Sequence, residues 1–137
     1  MLGRANYPLD FIVACRKRAE RQLKLYDALA KKAGKEADAF APEFFNTMVL
    51  ALDHYFMHRL RGKEGKDGNP LNEVEMLGDS LMNNGGVLQK STVLKLVPAE
   101  SVTKLEFGDS IELTERQFEE LAAAFFAELE RKFVAPG

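Results

Sequence analysis

His54 and His58 are the only two histidines of the chain, and they stand four residues apart. On a helix that spacing puts both imidazoles on one face, where they could chelate a single metal ion. A catalytic zinc usually takes three protein ligands. A third would have to come from a carboxylate, Glu64, Asp67 or Glu73. Arg61 beside the pair opposes a divalent cation. The simpler reading is a solvated helix end whose histidines favour the C-terminal dipole. We therefore expect no metal and no cofactor.

Arg59 is the less obvious signal. At ~100° per residue it falls inside the apolar arc of its helix, beside Met48 and Leu52. A buried guanidinium needs a carboxylate or several carbonyls. If the next helix runs back antiparallel, Glu75 or Glu73 is the partner expected. The pair would then be a structural ion pair or an anion clamp with an open mouth. The ligand-binding residues expected from this region are His54, His58, Arg59, Arg61, Asp67, Glu73 and Glu75. No residue is expected to be catalytic.

Between the two helices lies 62–69, with three glycines and four charges. A phosphate-binding loop needs Gly-x4-Gly-Lys-Ser/Thr, and no Ser or Thr follows either lysine here. With Gly68 at the sixth position of a calcium loop, Lys63 and Gly65 occupy the first and third, where acids are required. The glycines serve the turn, though a loop this polar could read a ligand at its tip. Other catalytic patterns are equally absent. Ala51 and Tyr55 precede the histidines where a di-iron bundle has Glu-x-x-His. The dipeptide Asp53-His54 reverses the order used by metal phosphohydrolases. There is no nucleophile elbow and no dinucleotide glycine fingerprint.

Apolar residues at three- and four-residue steps predict helices over 8–33, 42–61, 70–82 and 115–133. Residues 35–41 read as a connector, with Pro42 in the first turn of the second helix. Asn69-Pro70 and the Thr114…Gln117 capping box mark the starts of the third and fourth. The period shifts to two around 93–113. Residues 93–97 read as a strand, and 104–107 with 110–113 read as a hairpin about Gly108-Asp109. The expected fold is α+β and predominantly α: a four-helix bundle with a small antiparallel β-hairpin or sheet inserted before the last helix, in one domain spanning 1–137.

Composition narrows the function by exclusion. The chain has 137 residues, 46% of them hydrophobic, enough for a core without staples. A single cysteine, Cys15 on an apolar helix face, forms no intramolecular disulfide. No run suits a membrane span or a signal peptide, so a cytoplasmic location is expected. Residues 1–35 hold nine basic residues against three acidic, and 36–137 hold ten against eighteen. Either the first helix meets an anionic partner, or it packs beside the acidic last helix within one fold; the second needs no partner. With a pI of 5.8, nucleic acid is not an expected partner. The expected function is a non-enzymatic protein-interaction or small-ligand-binding module. The alternative is a small enzyme, or a metal- or anion-binding protein, using His54, His58 and Arg59 with the 62–69 loop. Phe125 and Phe126 cannot both face one core stripe, which suggests a homodimer through the second or last helix, or a hairpin folded over Phe126.

Overall fold

In the computed structural model, which describes residues 3–134, the period-3.6 stretches fold as five helices. These are α1 (Leu9–Ala33), α2 (Lys35–Tyr55), the single turn α3 (Arg61–Glu64), α4 (Pro70–Asn83) and α5 (Glu115–Phe133). A 3-10 turn, Pro98–Glu100, interrupts the segment between α4 and α5. Among the described residues there is no β-strand. The α+β fold with a hairpin is therefore corrected to an all-helical one. Two isolated bridges occur among the described residues, Arg4 with Arg59 and Val87 with Ser110.

The hairpin fails because helix side chains, together with the 86–88 backbone, take the backbone groups a sheet would need. Glu73 on α4 accepts from the Val102 and Thr103 amides and from the Thr103 hydroxyl. Asn46 on α2 donates to the Ile111 carbonyl and accepts from the Leu113 amide. Gln117 on α5 donates to the Thr103 carbonyl. Lys104 has φ 60, a left-handed conformation that breaks the extended run. Ile111 and Leu113 are still buried. The alternating pattern thus reports a chain lying on helices, where every backbone donor still needs a partner.

Two helix boundaries also differ from expectation. Residues 35–41 are helical rather than a connector, so Gly34 alone, at φ 59, joins α1 to α2. Their three alanines favour a helix. Ala37 is buried, and its carbonyl accepts from the Tyr26 hydroxyl. Pro42 then lies inside the helix, leaving the Asp38 carbonyl without its usual amide, but Asp38 is exposed to water. At the other end α2 stops at Tyr55 instead of reaching 61. The N-terminal segment intervenes there: the Arg4 amide donates to the His58 carbonyl, and the Leu60 amide donates to the Arg4 carbonyl.

The capping signals hold. Asn69 accepts from the Leu71 and Asn72 amides with Pro70 behind it, and Thr114 with Gln117 closes a capping box. α2 contacts α1, α4 and α5, as its wide apolar arc implies. Arg59 meets the first turn of α4 while Leu50 faces Gly78 further along, the register of an antiparallel pair. Phe125 and Phe126 are both buried in one aromatic cluster with Phe56. Arg16 of α1 lies over the Phe126 ring, so α1 is the cover, not a hairpin. No described helix is long and apolar enough to cross a membrane.

The 62–69 loop is anchored across the chain by the Lys95 amide donating to the Lys66 carbonyl. Gly68 sits under this strap at φ 89, and an added Cβ would lie 1.9 Å from the Lys95 carbonyl oxygen. Gly68→Ala should therefore cost about 2–3 kcal/mol, because both the conformation and the contact forbid a methyl group. Urea unfolding measures this, with Gly62→Ala, in open space, as the comparison. Equal midpoints for the two variants would contradict the packing described.

Candidate functional site

The turn after α2 drives Arg59 inward, and its side chain has no exposure. Its Nε donates to Glu64 Oε1 at 2.5 Å, Nη1 to the Phe56 carbonyl at 3.1 Å, and Nη2 to Asp53 Oδ1 at 3.0 Å. The face of the guanidinium lies over the Phe125 ring, 5.6 Å from its centre. Glu64 reaches this position because Leu60 starts the short turn α3 and Gly65, at φ 87, ends it. Its second oxygen, Oε2, accepts from Asn72 at 2.7 Å. Its main-chain carbonyl accepts from Asn69 and from Lys132 of α5. The buried pair therefore joins the end of α2, α3, the start of α4 and the end of α5.

Arg61 continues the network outward. One nitrogen, Nη1, donates to Glu64 Oε1 at 3.0 Å and to Glu75 Oε1 at 2.7 Å. The two carboxylates respond in opposite ways. Burial pushes Glu64 up, but Arg59 beside it, a hydrogen bond from Glu75 and the more distant Arg61 outweigh this and hold it below its ordinary value. Burial also raises Glu75, and the neighbouring Glu64 carboxylate raises it further. Arg61 and Arg59 offset only part of this, and Glu75 titrates at about 7. Three carboxylates, Asp53, Glu64 and Glu75, face two guanidinium groups, and Glu75 at the rim is the one that holds a proton near neutrality.

This network floors a cleft of 560 Å³ between α2, α4 and the 89–94 segment. Leu50, Asp53, Arg61, Glu75, Ser91 and Leu94 are among its walls. A second space of 320 Å³ adjoins it and shares Arg61, Glu75, Ser91 and Leu94. The roof is set locally: the Ser91 hydroxyl accepts from the Val93 and Leu94 amides.

The residues expected from sequence separate here. Arg59, Arg61 and Glu75 come together, although Glu75 lies 3.9 Å from Arg59 and Glu64 is the closer partner. Glu73 is buried but turned to the 101–103 segment. Asp67 caps the loop through the Asn69 amide and side chain, and the bonds from Asn69 hold its carboxyl below its ordinary value. His54 and His58 are exposed and do not line the cleft. Among the described residues no group of three His, Cys, Asp or Glu side chains is placed to hold a metal ion. Asp53 and the 89–94 segment carried no sequence signal. Six residues separate Asp53 from Arg59, and only the break in α2 brings them together. Glu64 was hidden in a stretch that reads as loop, though Arg61 and Glu64 have helical i, i+3 spacing. Comparison with protein-family models, with curated proteins and with solved structures produced no match.

Removing one member of the buried pair should leave an uncompensated charge. Arg59→Ala is expected to cost about 3 kcal/mol or more. In a double-mutant cycle, Arg59→Met with Glu64→Leu should cost less than the two single changes summed, by about 2 kcal/mol. A coupling near zero would mean that the two side chains act independently.

The pH dependence has a definite sign. Glu75 binds its proton more tightly in the folded chain than in the unfolded one, so its stabilising effect is complete below 4.5 and is lost as pH rises through about 7. Glu115, pushed up to about 7 by burial and then by Asp27, acts in the same direction. Stability should therefore decline between pH 4.5 and 8, and Glu75→Gln should flatten that decline without abolishing it. Unfolding curves at several pH values test this; a decline of unchanged steepness in Glu75→Gln would assign the effect elsewhere.

Proposed function

We propose that this chain is a small-ligand-binding module without catalytic activity, and that its ligand is a small molecule carrying an amine or amidine group. The observation that supports the reading most directly is the α2–α4 cleft. It is concave, part apolar, and floored by an ion network with one carboxylate more than it has guanidinium groups, with Asp79 and Lys90 adding one charge of each sign to the walls. An incoming cation would replace the proton on Glu75 and leave both arginines paired. A small anionic ligand fits less well, because Nε, Nη1 and Nη2 of Arg59 are all bonded within the chain.

A carboxyl group titrating near neutrality also suits general acid–base catalysis, and this is the second reading. It ranks lower because the Ser91 hydroxyl, a cleft nucleophile candidate, is engaged by two backbone amides. The one cysteine is buried, which suits a reducing compartment, and we place the protein in the cytoplasm. With Phe126 covered by α1, that residue gives no support to a homodimer, and the reading works with a monomer.

Thermal shift and NMR titration with a panel of primary amines and amidines, against matched carboxylates and inorganic phosphate, test the proposal. An amine or amidine should raise the melting temperature and shift the resonances of Glu75, Ser91 and Leu94. Its affinity should rise from pH 6 to pH 8 as Glu75 gives up its proton, and should fall about tenfold in Glu75→Gln, a loss of ~1.4 kcal/mol. Preference for carboxylates, or equal affinity in Glu75→Gln, would overturn it.

A further inference from the structure

The basic N-terminal helix packs beside the acidic last helix, as the charge pattern suggests, but most of its basic side chains form no ion pair among the described residues. Among the described residues, Arg16 is the one basic side chain of α1 in an ion pair, with Glu130 of α5. Arg18 lies over the Tyr55 ring without an acid partner, and Arg21 has none. Both stand at one end of a 520 Å³ groove between α1 and α2, and they are the only charged residues lining it. Beyond Gln22 and Tyr26 the rest of the groove is apolar. Leu25 is 59% exposed, Leu29 56% and Phe40 47%, with Phe44 partly buried between them. The acids of α2 nearby, Glu36, Asp38 and Glu43, are exposed but do not line it.

These positions have a shared period. Leu25 and Leu29 form one wall four residues apart, and Phe40 and Phe44 form the other with the same spacing. Arg18 lies seven residues before Leu25, about 10 Å along the axis, and the stripe from Arg18 to Leu29 is about 16 Å long. That is roughly three turns of a second helix, laid in a groove with apolar anchors at one end and cations at the other.

We propose that the α1–α2 groove docks an acidic amphipathic helix of a partner protein. Two apolar side chains of that helix, four residues apart, would enter between Leu25, Leu29, Phe40 and Phe44. Carboxylates about two turns away would pair with Arg18 and Arg21. Burying exposed leucine and phenylalanine supplies the affinity, and the uncompensated arginines set orientation and choice of partner. A second copy of this chain is a poorer occupant. Lys17, Lys24, Lys31 and Lys32 share α1 with the two arginines, so two such helices brought together would repel. The site is separate from the α2–α4 cleft and does not depend on the function proposed for it.

The test uses the full chain and a synthetic 16-residue helical peptide. The peptide carries Leu and Phe four residues apart, and glutamates seven and eleven residues from the first of them. Binding followed by fluorescence anisotropy and NMR should perturb Leu25, Leu29, Phe40 and Arg21. The double variant Arg18→Glu, Arg21→Glu should bind about tenfold more weakly, and a peptide with lysine in place of glutamate should regain that affinity on the variant. Leu25→Ser, at an exposed position, should weaken binding without shifting the melting temperature. Absence of binding at millimolar peptide, or equal affinity for the charge-reversed variant, overturns the proposal. So does retention on phosphatidylglycerol vesicles that the peptide cannot displace, which would assign the groove to a membrane. A mass that doubles with concentration and is restored to one copy by Leu25→Ser would assign it to self-association.

Discussion

The guanidinium of Arg59 sits where water does not reach, and much of the surrounding architecture answers to that fact. A buried cation is tolerated only if its field is neutralised and its donors are filled. Asp53 at the end of α2, Glu64 on α3 and two backbone carbonyls meet this demand. α2 must stop at Tyr55 for the arginine to turn inward. α3 brings Glu64 back beneath it, and Asn72 on α4 fills the other oxygen of the same carboxylate. Lys132 then ties α5 to that turn. One ion pair thus explains a helix end, a helical turn and two helix contacts.

The same network creates the chemistry of the cleft. Charges are not balanced within it, and the imbalance falls on the most accessible carboxylate. Glu64 is enclosed and lies nearest Arg59, so it stays ionised. Glu75 sits at the rim, hydrogen-bonded to an anion and only partly served by Arg61, so it holds its proton to about pH 7. Two glutamates of one sequence type are separated by their neighbours alone. The surplus carboxylate, held at the rim by its neighbours, is the feature on which the proposal of a cationic ligand rests.

Helix side chains do in this chain what a third strand does in many others. The carboxylate of Glu73 holds two successive amides of the 101–103 segment, and Asn46 holds 111–113 from the opposite side. Sheet pairing would offer the same hydrogen bonds from backbone to backbone. Here most partners are side chains of α2, α4 and α5, and the backbone at 108–111 bonds the short stretch 86–88, so the segment keeps its buried Ile111 and Leu113 but forms no ladder.

Sequence alone determined what depends on near neighbours. The helix over α1, the Asn69-Pro70 and Thr114…Gln117 caps and the core-facing Cys15 follow from spacing within one or two turns; Arg59 is buried as its helical position implied, but by the turn after Tyr55 and not by a helix running through it. Local period failed where a distant group competed. The alternation at 104–113 looked like a hairpin because nothing in those residues announces Glu73 or Asn46. Residues 35–41 read as a connector because Pro42 marks a helix start, and nothing near it in sequence announces the support that Tyr26 gives the Ala37 carbonyl. Tertiary structure decided which acid neutralises Arg59, because Glu64, Asp53 and Glu75 reach it by different routes and only the break at Tyr55 ranks them. It also decided that Phe126 is covered by α1, while Leu25, Leu29 and Phe40 stay exposed together along the α1–α2 groove. The helical period specifies which residues share a face. What that face meets is set by the packing of segments far apart in the chain.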